Sequence, residues 1–216
     1  KGITYDQLSA EEQTEYETKL SDGDGKMPRQ VDAAALNRWL FNQDTVDKAL
    51  HFLMTHGIKV DNGETLGKTI IFARSVAHAD FISKRFDAHY PRLSGGKFAT
   101  VIVSGDSMVE TLIDDFKERS KQPTIAVSVD MLDTGVDVPE IVNLVFFKPV
   151  FSRVKFSQML GRGTRPCPDL FGPGKDKTEF LVFDLCSVFD FFRQLDALGA
   201  RETPVVAGPS TRLFRG

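Results

Sequence analysis

Residues 69–73 read Thr-Ile-Ile-Phe-Ala, a short apolar run that an amphipathic segment follows as far as about Ala88. The same alternation of an apolar run and a helical pattern recurs along the chain. The further apolar runs are 100–104, 123–128, 141–147 and 180–184. Continuous apolar strands separated by helices are typical of a parallel sheet that helices cover on both faces. The sequence therefore predicts an α/β fold with five strands.

The segments that flank this pattern differ from it in composition. Residues 1–30 are polar, and residues 31–57 show two helical patterns, the second with Asp44 as its expected N-cap. The last stretch is rich in proline and glycine and is typical of a linker or a fraying tail. We predict three units, which are a helical extension or linker from a preceding domain, an α/β domain and a tail, over residues 1–60, 61–200 and 201–216.

Composition limits the classes of function. The net charge is −3 and the pI is about 5.8, so any contact with nucleic acid must come from local clusters. The two cysteines, Cys167 and Cys186, lack metal-ligand spacing, which predicts no metal site and favours the reducing cytoplasm. No apolar run is long enough for a membrane span. The first residue is Lys1 rather than methionine, which indicates a piece of a longer protein or a processed or tagged chain.

The strongest motif is Gln-Met-Leu-Gly-Arg-Gly-Thr-Arg over residues 158–165. Gln158, Arg162 and Arg165 are spaced i, i+4 and i+7, which predicts one helical face that Lys155 extends. Two guanidinium groups on that face suit phosphate oxygens. The two glycines cost a helix about 1 kcal/mol each, which indicates a close backbone approach or a bent helix end. The alternative is a solvated basic helix end.

A second motif follows the third predicted strand, in residues 127–139. Thr134 offers a hydroxyl and Gly135 frees backbone N–H groups, and both suit a phosphate. Asp137 is placed to accept from a ribose hydroxyl or to hold one of the arginines; the alternative is a turn residue before Pro139.

Weaker candidates lie where parallel strands end, the edge at which α/β sheets usually bind ligands. Arg74 and Ser75 follow the first strand, and Ser104 and Gly105 follow the second. They suit phosphate contacts, although Ser75 would equally serve as a helix N-cap. We expect the two arginines to face a phosphate from this same edge, and their burial in internal ion pairs away from it would contradict their role. A basic cluster after the fourth strand is either a phosphate contact or solvated, and consists of Lys148, Arg153 and Lys155.

Residues 63–69, Gly-Glu-Thr-Leu-Gly-Lys-Thr, imitate a phosphate-binding loop. The true motif needs four residues between its glycines, and here there are three. It also opens a helix, whereas Lys68 and Thr69 open a strand. We therefore predict that the chain lacks a complete nucleotide site; tight ATP binding by the chain alone would favour the alternative, a self-contained P-loop ATPase.

Three of these stretches, residues 69–74, 133–139 and 158–165, resemble motifs IV, V and VI of superfamily 2 helicases, in order. A wider stretch that begins with Ala35-Leu-Asn-Arg-Trp39 resembles the R (HsdR-type) motor subunit of type I restriction enzymes. The resemblance implies a RecA-like fold and a preceding RecA-like domain that carries most of the ATP and Mg²⁺ site.

The resemblance also assigns roles to residues. Arg162 and Arg165 match arginines that reach the ATP phosphates, and Gln158 matches the residue that supports them. Gly135 and Asp137 match residues that couple the nucleotide state of the motor to its contact with DNA. The positions expected to contact the nucleic-acid backbone are Thr134, Arg74, Ser75, Ser104, Gly105 and Lys155.

The implied partners are double-stranded DNA, the preceding motor domain of the same protein, and methylation and specificity subunits. The chain alone is expected to be inactive, and DNA cleavage is expected to belong to a separate nuclease domain. Two alternatives stay open. One is the second motor domain of another superfamily 2 helicase, of the repair or DEAD/DEAH type, and the other is a non-catalytic α/β binding module.

Overall fold

The computed structural model describes residues 38–93, 97–132, 136–198 and 212–215. Its helices are α1 (Gln43–His56), α2 (Val76–His89), α3 (Val109–Lys117), α4 (Arg153–Gly161) and α5 (Val188–Leu198). A short hairpin comprises β1 (Lys59–Val60) and β2 (Thr65–Leu66). The main sheet comprises β3 (Lys68–Ala73), β4 (Ala99–Ile102), β5 (Ile125–Ser128), β6 (Ile141–Phe147), β7 (Leu181–Asp184) and β8 (Arg212–Arg215).

The main sheet has the strand order β4-β5-β3-β6-β7-β8. Five of its strands are parallel, and β8 pairs antiparallel with β7. The five parallel strands confirm the predicted α/β, RecA-like class. Each is short and apolar because both faces of the sheet are covered, which removes the alternation of apolar and polar residues seen in half-exposed strands.

Two hydrophobic cores lie on opposite faces of the sheet. Alternate residues of β3 show this separation, since Ile71 and Ala73 join one core and Ile70 and Phe72 join the other. The first core includes buried residues of α1 and α2, and the second includes residues of α3, α4 and α5. The helices therefore cover both faces, as predicted.

Helix α1 belongs to the same core as the sheet. Its buried residues Val46, Leu50 and Leu53 pack in one cluster with strand residues. This packing departs from the predicted boundary at residue 60, which assigned the helix to an extension. The N-cap is Asn42, whose Oδ1 accepts from the amide of Thr45 at 3.0 Å, and the prediction that Asp44 caps the helix is wrong. Asp44 instead lies in the first turn, where a negative charge is also favourable.

The C-terminal tail includes an ordered pairing. Strand β8 aligns Val182 with Phe214 and Leu181 with Arg215. The expectation that the tail would be a linker or would fray is therefore wrong for residues 212–215. The error arose because an isolated four-residue run carries little periodic signal, and its pairing partner is about 30 residues away in sequence.

The residues that imitate a phosphate-binding loop have a structural role. Lys68 is buried at the start of β3, and its Nζ donates to the backbone oxygens of Lys121 at 2.7 Å and Pro123 at 2.8 Å. The Thr69 hydroxyl donates to the carbonyl of Gly67. No helix begins at these residues, and the ammonium group of Lys68 already binds backbone carbonyls of the chain itself.

Within the described ranges, none of the helices has the length and apolar character needed to cross a membrane.

His78 supplies a pH-dependent contribution to the stability of this fold. It is fully buried on α2, and its Nδ1 accepts from the backbone amide of Arg74 at 3.3 Å. Burial lowers the pKa of His78 to about 4, from 6.5. The unfolded chain therefore binds the proton more tightly, and the stabilisation is lost as the pH falls from 6.5 to 4.

We expect the free energy of unfolding to fall by up to about 3 kcal/mol over that range because of this one group. Urea denaturation at several pH values measures it. His78→Gln, which keeps a neutral acceptor, should flatten the dependence, whereas His51→Gln, at an exposed position of α1, should not. An identical slope for His78→Gln and the unmodified chain would contradict the assignment.

Candidate functional site

Helix α4 ends at Gly161, and Arg162 is its C-cap. The amides of Arg162 and Gly163 donate to the carbonyls three residues earlier, Met159 and Leu160. The hydroxyl of Thr164 donates to the carbonyl of Gly161 at 3.1 Å. These bonds tighten and close the last turn, as is common at helix ends. Arg165 therefore lies beyond the helix, and the prediction that it shares a helical face with Gln158 and Arg162 is wrong.

The two arginines nevertheless meet at one place, the segment that leads into β6. A guanidinium Nη1 of Arg162 donates to the carbonyl of Val136, and its Nε donates to the carbonyl of Gln158 at 3.3 Å. The Nε of Arg165 lies 3.1 Å from Oδ1 of Asp137. Of the two roles considered for Asp137, the structure shows the second, in which it holds an arginine.

The Arg165–Asp137 pair is exposed. The side chains of Arg165 and Asp137 are 57% and 61% accessible, and Arg162 is partly buried. An exposed ion pair contributes only about 0–1 kcal/mol, because water competes for both charges. Arg165 can therefore leave Asp137 at little cost, and the pair is not the internal, buried pair that would contradict a binding role.

The site lies at the opposite end of the sheet from the one expected. Helix α4 starts after the carboxyl end of β6 and runs back, so that Gly163 lies against Phe180, the residue before β7. Val136 and Asp137 likewise precede β6, whose first amide, that of Ile141, donates to the carbonyl of Val138. The arginines thus lie near the amino ends of β6 and β7, and the prediction of the carboxyl-end edge is wrong for them. A helix after a parallel strand must return along the sheet, and its far end lies at the other edge.

Four other candidates, Arg74, Ser75, Ser104 and Gly105, lie at the carboxyl-end edge, as predicted. Arg74 and Ser75 follow β3, and Ser75 caps α2 by accepting from the amide of His78 at 3.2 Å. Ser104 and Gly105 follow β4 and are exposed. Gly105 has a φ of +87°, a conformation that suits glycine. A phosphate at this edge would therefore be separated from the arginines by the length of the strands.

Acidic residues neutralise part of the basic cluster after β6. Lys148 Nζ lies 2.8 Å from Oδ1 of Asp130, and Arg153 pairs with Asp196. Lys155 is partly buried in the first turn of α4. The cluster therefore presents less positive charge than its sequence indicates.

Two predicted residues, Thr134 and Gly135, lie outside the described residues. Among the residues that are described, no group of three or more His, Cys, Asp or Glu side chains is placed to hold a metal ion. The groups here that would suit a nucleotide are the two guanidinium groups, for phosphate oxygens, and the carboxylate of Asp137, for a ribose hydroxyl.

Sequence reasoning missed two cations that hold the loop after Arg165. Arg119 donates to the carbonyls of Asp169 at 3.2 Å and Leu170 at 2.6 Å. Lys177 Nζ donates to the carbonyl of Pro139 at 3.0 Å. Neither lies in a motif, and both bind backbone carbonyls far away in sequence, so no local pattern signals them.

Comparison with known proteins places this geometry in a family. Residues 44–167, more than half of the chain, match the helicase conserved C-terminal domain. The chain is 36% identical over 155 residues to the type I restriction enzyme EcoKI endonuclease subunit of Escherichia coli K12, and 29% identical over 103 residues to the EcoAI endonuclease subunit of Escherichia coli. These matches cover 68% and 46% of the chain, but only 12% and 13% of the two relatives.

A solved structure agrees with both results. A fragment described as an HsdR subunit of a type I restriction enzyme, from Vibrio vulnificus YJ016, superposes with a TM-score of 0.54 at 26% identity. The match covers 63% of this chain and 26% of that one. The resemblance drawn from the motifs is thereby confirmed, and the chain belongs to the family of helicase conserved C-terminal domains.

Proposed function

We propose that this chain is the second motor domain of an ATP-dependent translocase that moves along double-stranded DNA, within the R subunit of a type I restriction enzyme. The observation that carries the proposal is the meeting of Arg162, Arg165 and Asp137 on the segment before β6, in a chain similar to type I endonuclease subunits. The chain covers about an eighth of the length of those relatives, so the other domains of the proposed translocase lie outside it.

The nucleotide role follows from the chemistry of the three side chains. ATP and Mg²⁺ would be held mainly by a preceding RecA-like domain, and hydrolysis would supply the energy for movement. Arg162 and Arg165 would bind the phosphates from this chain and stabilise the negative charge that develops on them. Gln158 would support Arg162, whose Nε already donates to the Gln158 carbonyl. Gly135 is a further candidate from the sequence for a phosphate contact.

Asp137 would act as the resting partner of Arg165. When phosphate oxygens approach, Arg165 exchanges one carboxylate for a more highly charged acceptor that binds a guanidinium at two points. The exchange is cheap because the original pair is exposed and contributes only about 0–1 kcal/mol. Asp137 then becomes available to a ribose hydroxyl, which combines the two roles considered for it.

DNA would be contacted at the other end of the sheet. Arg74, Ser75, Ser104 and Gly105 follow strands at that end and would contact phosphates, and Thr134 and Lys155 are further candidates from the sequence. Such contacts position the protein without reading bases, so binding should be insensitive to sequence and sensitive to salt. Asp106 lies next to Gly105, and its Oδ1 accepts from the amide of Met108. Its negative charge makes the loop after β4 a weaker phosphate contact than Arg74.

The wider assembly is also part of the proposal. The restriction subunit would act with methylation and specificity subunits, and a separate nuclease domain would cut the DNA. Cys167 and Cys186 are free thiols, which fits the reducing cytoplasm.

A strand-displacement experiment tests the proposal against its nearest alternative, a superfamily 2 helicase that separates strands. The full-length protein, with its partner subunits, is given ATP and a duplex that carries a third strand far from the recognition site. We expect ATP-dependent release of the third strand while the duplex stays paired.

Two results would contradict the proposal. Separation of the duplex strands, whether or not the third strand is released, would favour the helicase. No ATP hydrolysis with any DNA would favour a non-catalytic binding module. A reaction with a nucleotide analogue that resists hydrolysis controls for release caused by binding alone.

A further inference from the structure

Three cationic side chains hold the segment of residues 136–139, each at a different residue. Arg162 donates to the carbonyl of Val136, and Arg165 pairs with the carboxylate of Asp137. Lys177 Nζ donates to the carbonyl of Pro139 at 3.0 Å. The two arginines belong to the motif of residues 158–165, but Lys177 lies outside every motif and close to the start of β7.

Lys177 is also joined to the chain that follows Arg165. Its backbone amide donates to the carbonyl of Cys167 at 2.9 Å, and Cys167 is two residues after Arg165. The backbone of Lys177 thus fixes the segment that carries Arg165, and its ammonium group fixes the segment that carries Asp137. The distance between Asp137 and Arg165 depends on both attachments.

We propose that Lys177 is a positioning residue, which fixes the segment of Asp137 against the segment of Arg165 and so sets the direction in which Arg165 points. This inference rests on the proposed function, since it gives Lys177 a part in the same ATP site. Lys177 itself touches neither nucleotide nor DNA in this role.

The surroundings of Lys177 explain why its charge matters. It is partly buried, and burial lowers the pKa of its ammonium group to about 8, against the opposing effects of Cys167 and Glu140. Burial also raises the pKa of the Cys167 thiol. A charged donor binds a carbonyl more strongly than a neutral amine does. The hold on Pro139 should therefore weaken as the pH rises through about 8.

The test uses the full-length protein with DNA and ATP. Lys177→Met keeps the length of the side chain but removes the donor and the charge. We expect kcat for ATP hydrolysis at pH 7 to fall about tenfold with little change in KM, because transition-state contacts are lost while ground-state binding remains. The unmodified protein should lose activity above pH 8, and Lys177→Met should lack that decline. Lys177→Arg should recover most of the rate at pH 7.

Lys175→Met is the matched control. Lys175 is exposed on the same loop, and the contacts shown for it are made by its backbone, which the substitution retains. We expect its kcat and pH profile to equal those of the unmodified protein. Arg162→Ala and Arg165→Ala, measured alongside, report on the proposed function itself.

The outcomes separate the two proposals. If the arginine variants lose activity but Lys177→Met keeps it, the positioning role is overturned and the proposed function stands. If Lys177→Met loses activity but retains the alkaline decline, Lys177 is only structural and the role is likewise overturned. The same conclusion follows if the free energy of unfolding of Lys177→Met falls far enough to account for the lost activity. If the arginine variants keep full activity, both proposals fall.

Discussion

Replacing Arg162 by alanine in the full-length protein should lower DNA-stimulated ATP hydrolysis by about 10³-fold, the low end of the effect of an arginine that stabilises phosphoryl transfer. The reason is the placement of its guanidinium group. The C-cap position of α4 and the carbonyls of Val136 and Gln158 fix it before any ligand arrives. A charge that is already oriented stabilises the transition state without further reorganisation. Steady-state hydrolysis at saturating DNA measures the loss.

Loss of structure must be separated from loss of catalysis in this variant. Removing Arg162 leaves the Val136 carbonyl without its donor, which costs about 1–3 kcal/mol if water does not replace it. Denaturant unfolding therefore accompanies the kinetics. Arg193→Ala is the control, because Arg193 is an exposed arginine on α5 whose ion-pair partner is Asp190. Hydrolysis within threefold of the unmodified rate for a folded Arg162→Ala protein would exclude the assigned role.

The sheet could be predicted from the sequence because its strands are locally unambiguous. The run 141–147 matches β6 at both ends, since all seven residues are buried and polar or turn-forming residues flank them. The helices that follow β3 and β6 were expected because their sequences have helical spacing. The pairing of β8 and the packing of α1 were not, because both depend on contacts between distant parts of the chain.

The sequence singles out Arg162, Arg165 and Asp137 as candidates, but it does not predict their geometry. The pairing of Asp137 with an arginine was one of two expected roles, because a carboxylate and a guanidinium attract each other in any arrangement. The end of α4 was not predictable, because the local sequence Gly-Arg-Gly-Thr is compatible with a helix or a turn. The closing bond from Thr164 and the contact of Gly163 with Phe180 decide between them. The second of these contacts spans 17 residues.

The position of the arginines relative to the sheet was predicted wrongly for a different reason. The rule that ligands bind at the carboxyl ends of parallel strands concerns loops that follow strands directly. Arg74 and Ser75 obey it, because they follow β3. Arg162 lies one helix further along, and a helix of nine residues carries the chain about 13 Å back along the sheet. The motif was recognised correctly, but it was assigned to the wrong end of the sheet.

Substituting Gly163 by alanine should destabilise the chain and disable the site together. A Cβ atom on Gly163 would lie 2.7 Å from the Cγ and Cε2 atoms of Phe180, much closer than carbon atoms approach without repulsion. Phe180 is buried and belongs to the second core, so it cannot simply turn away. Overpacking of this kind costs about 1–3 kcal/mol, which we expect as a fall in the free energy of unfolding.

Gly161→Ala provides a matched comparison of opposite sign. A Cβ atom there would meet no other atom within 4 Å, and Gly161 is the last residue of α4. Alanine at a helical position stabilises by up to about 0.5–1 kcal/mol relative to glycine. Urea denaturation of the two variants should therefore move in opposite directions. A similar change for both would show that helix propensity, rather than contact with Phe180, governs this turn.

The same contact links the core to the catalytic role proposed for the arginines, because Gly163 lies between Arg162 and Arg165. If the loop moves to relieve the clash, both guanidinium groups move with it, and a displacement of about 1 Å can lower a rate about 10²-fold. We therefore expect ATP hydrolysis by full-length Gly163→Ala to fall by about that factor. Phe180→Leu in the same protein removes the ring that causes the clash and should recover part of both the stability and the rate. Recovery of stability without recovery of rate would mean that the turn supports the core but does not aim the arginines.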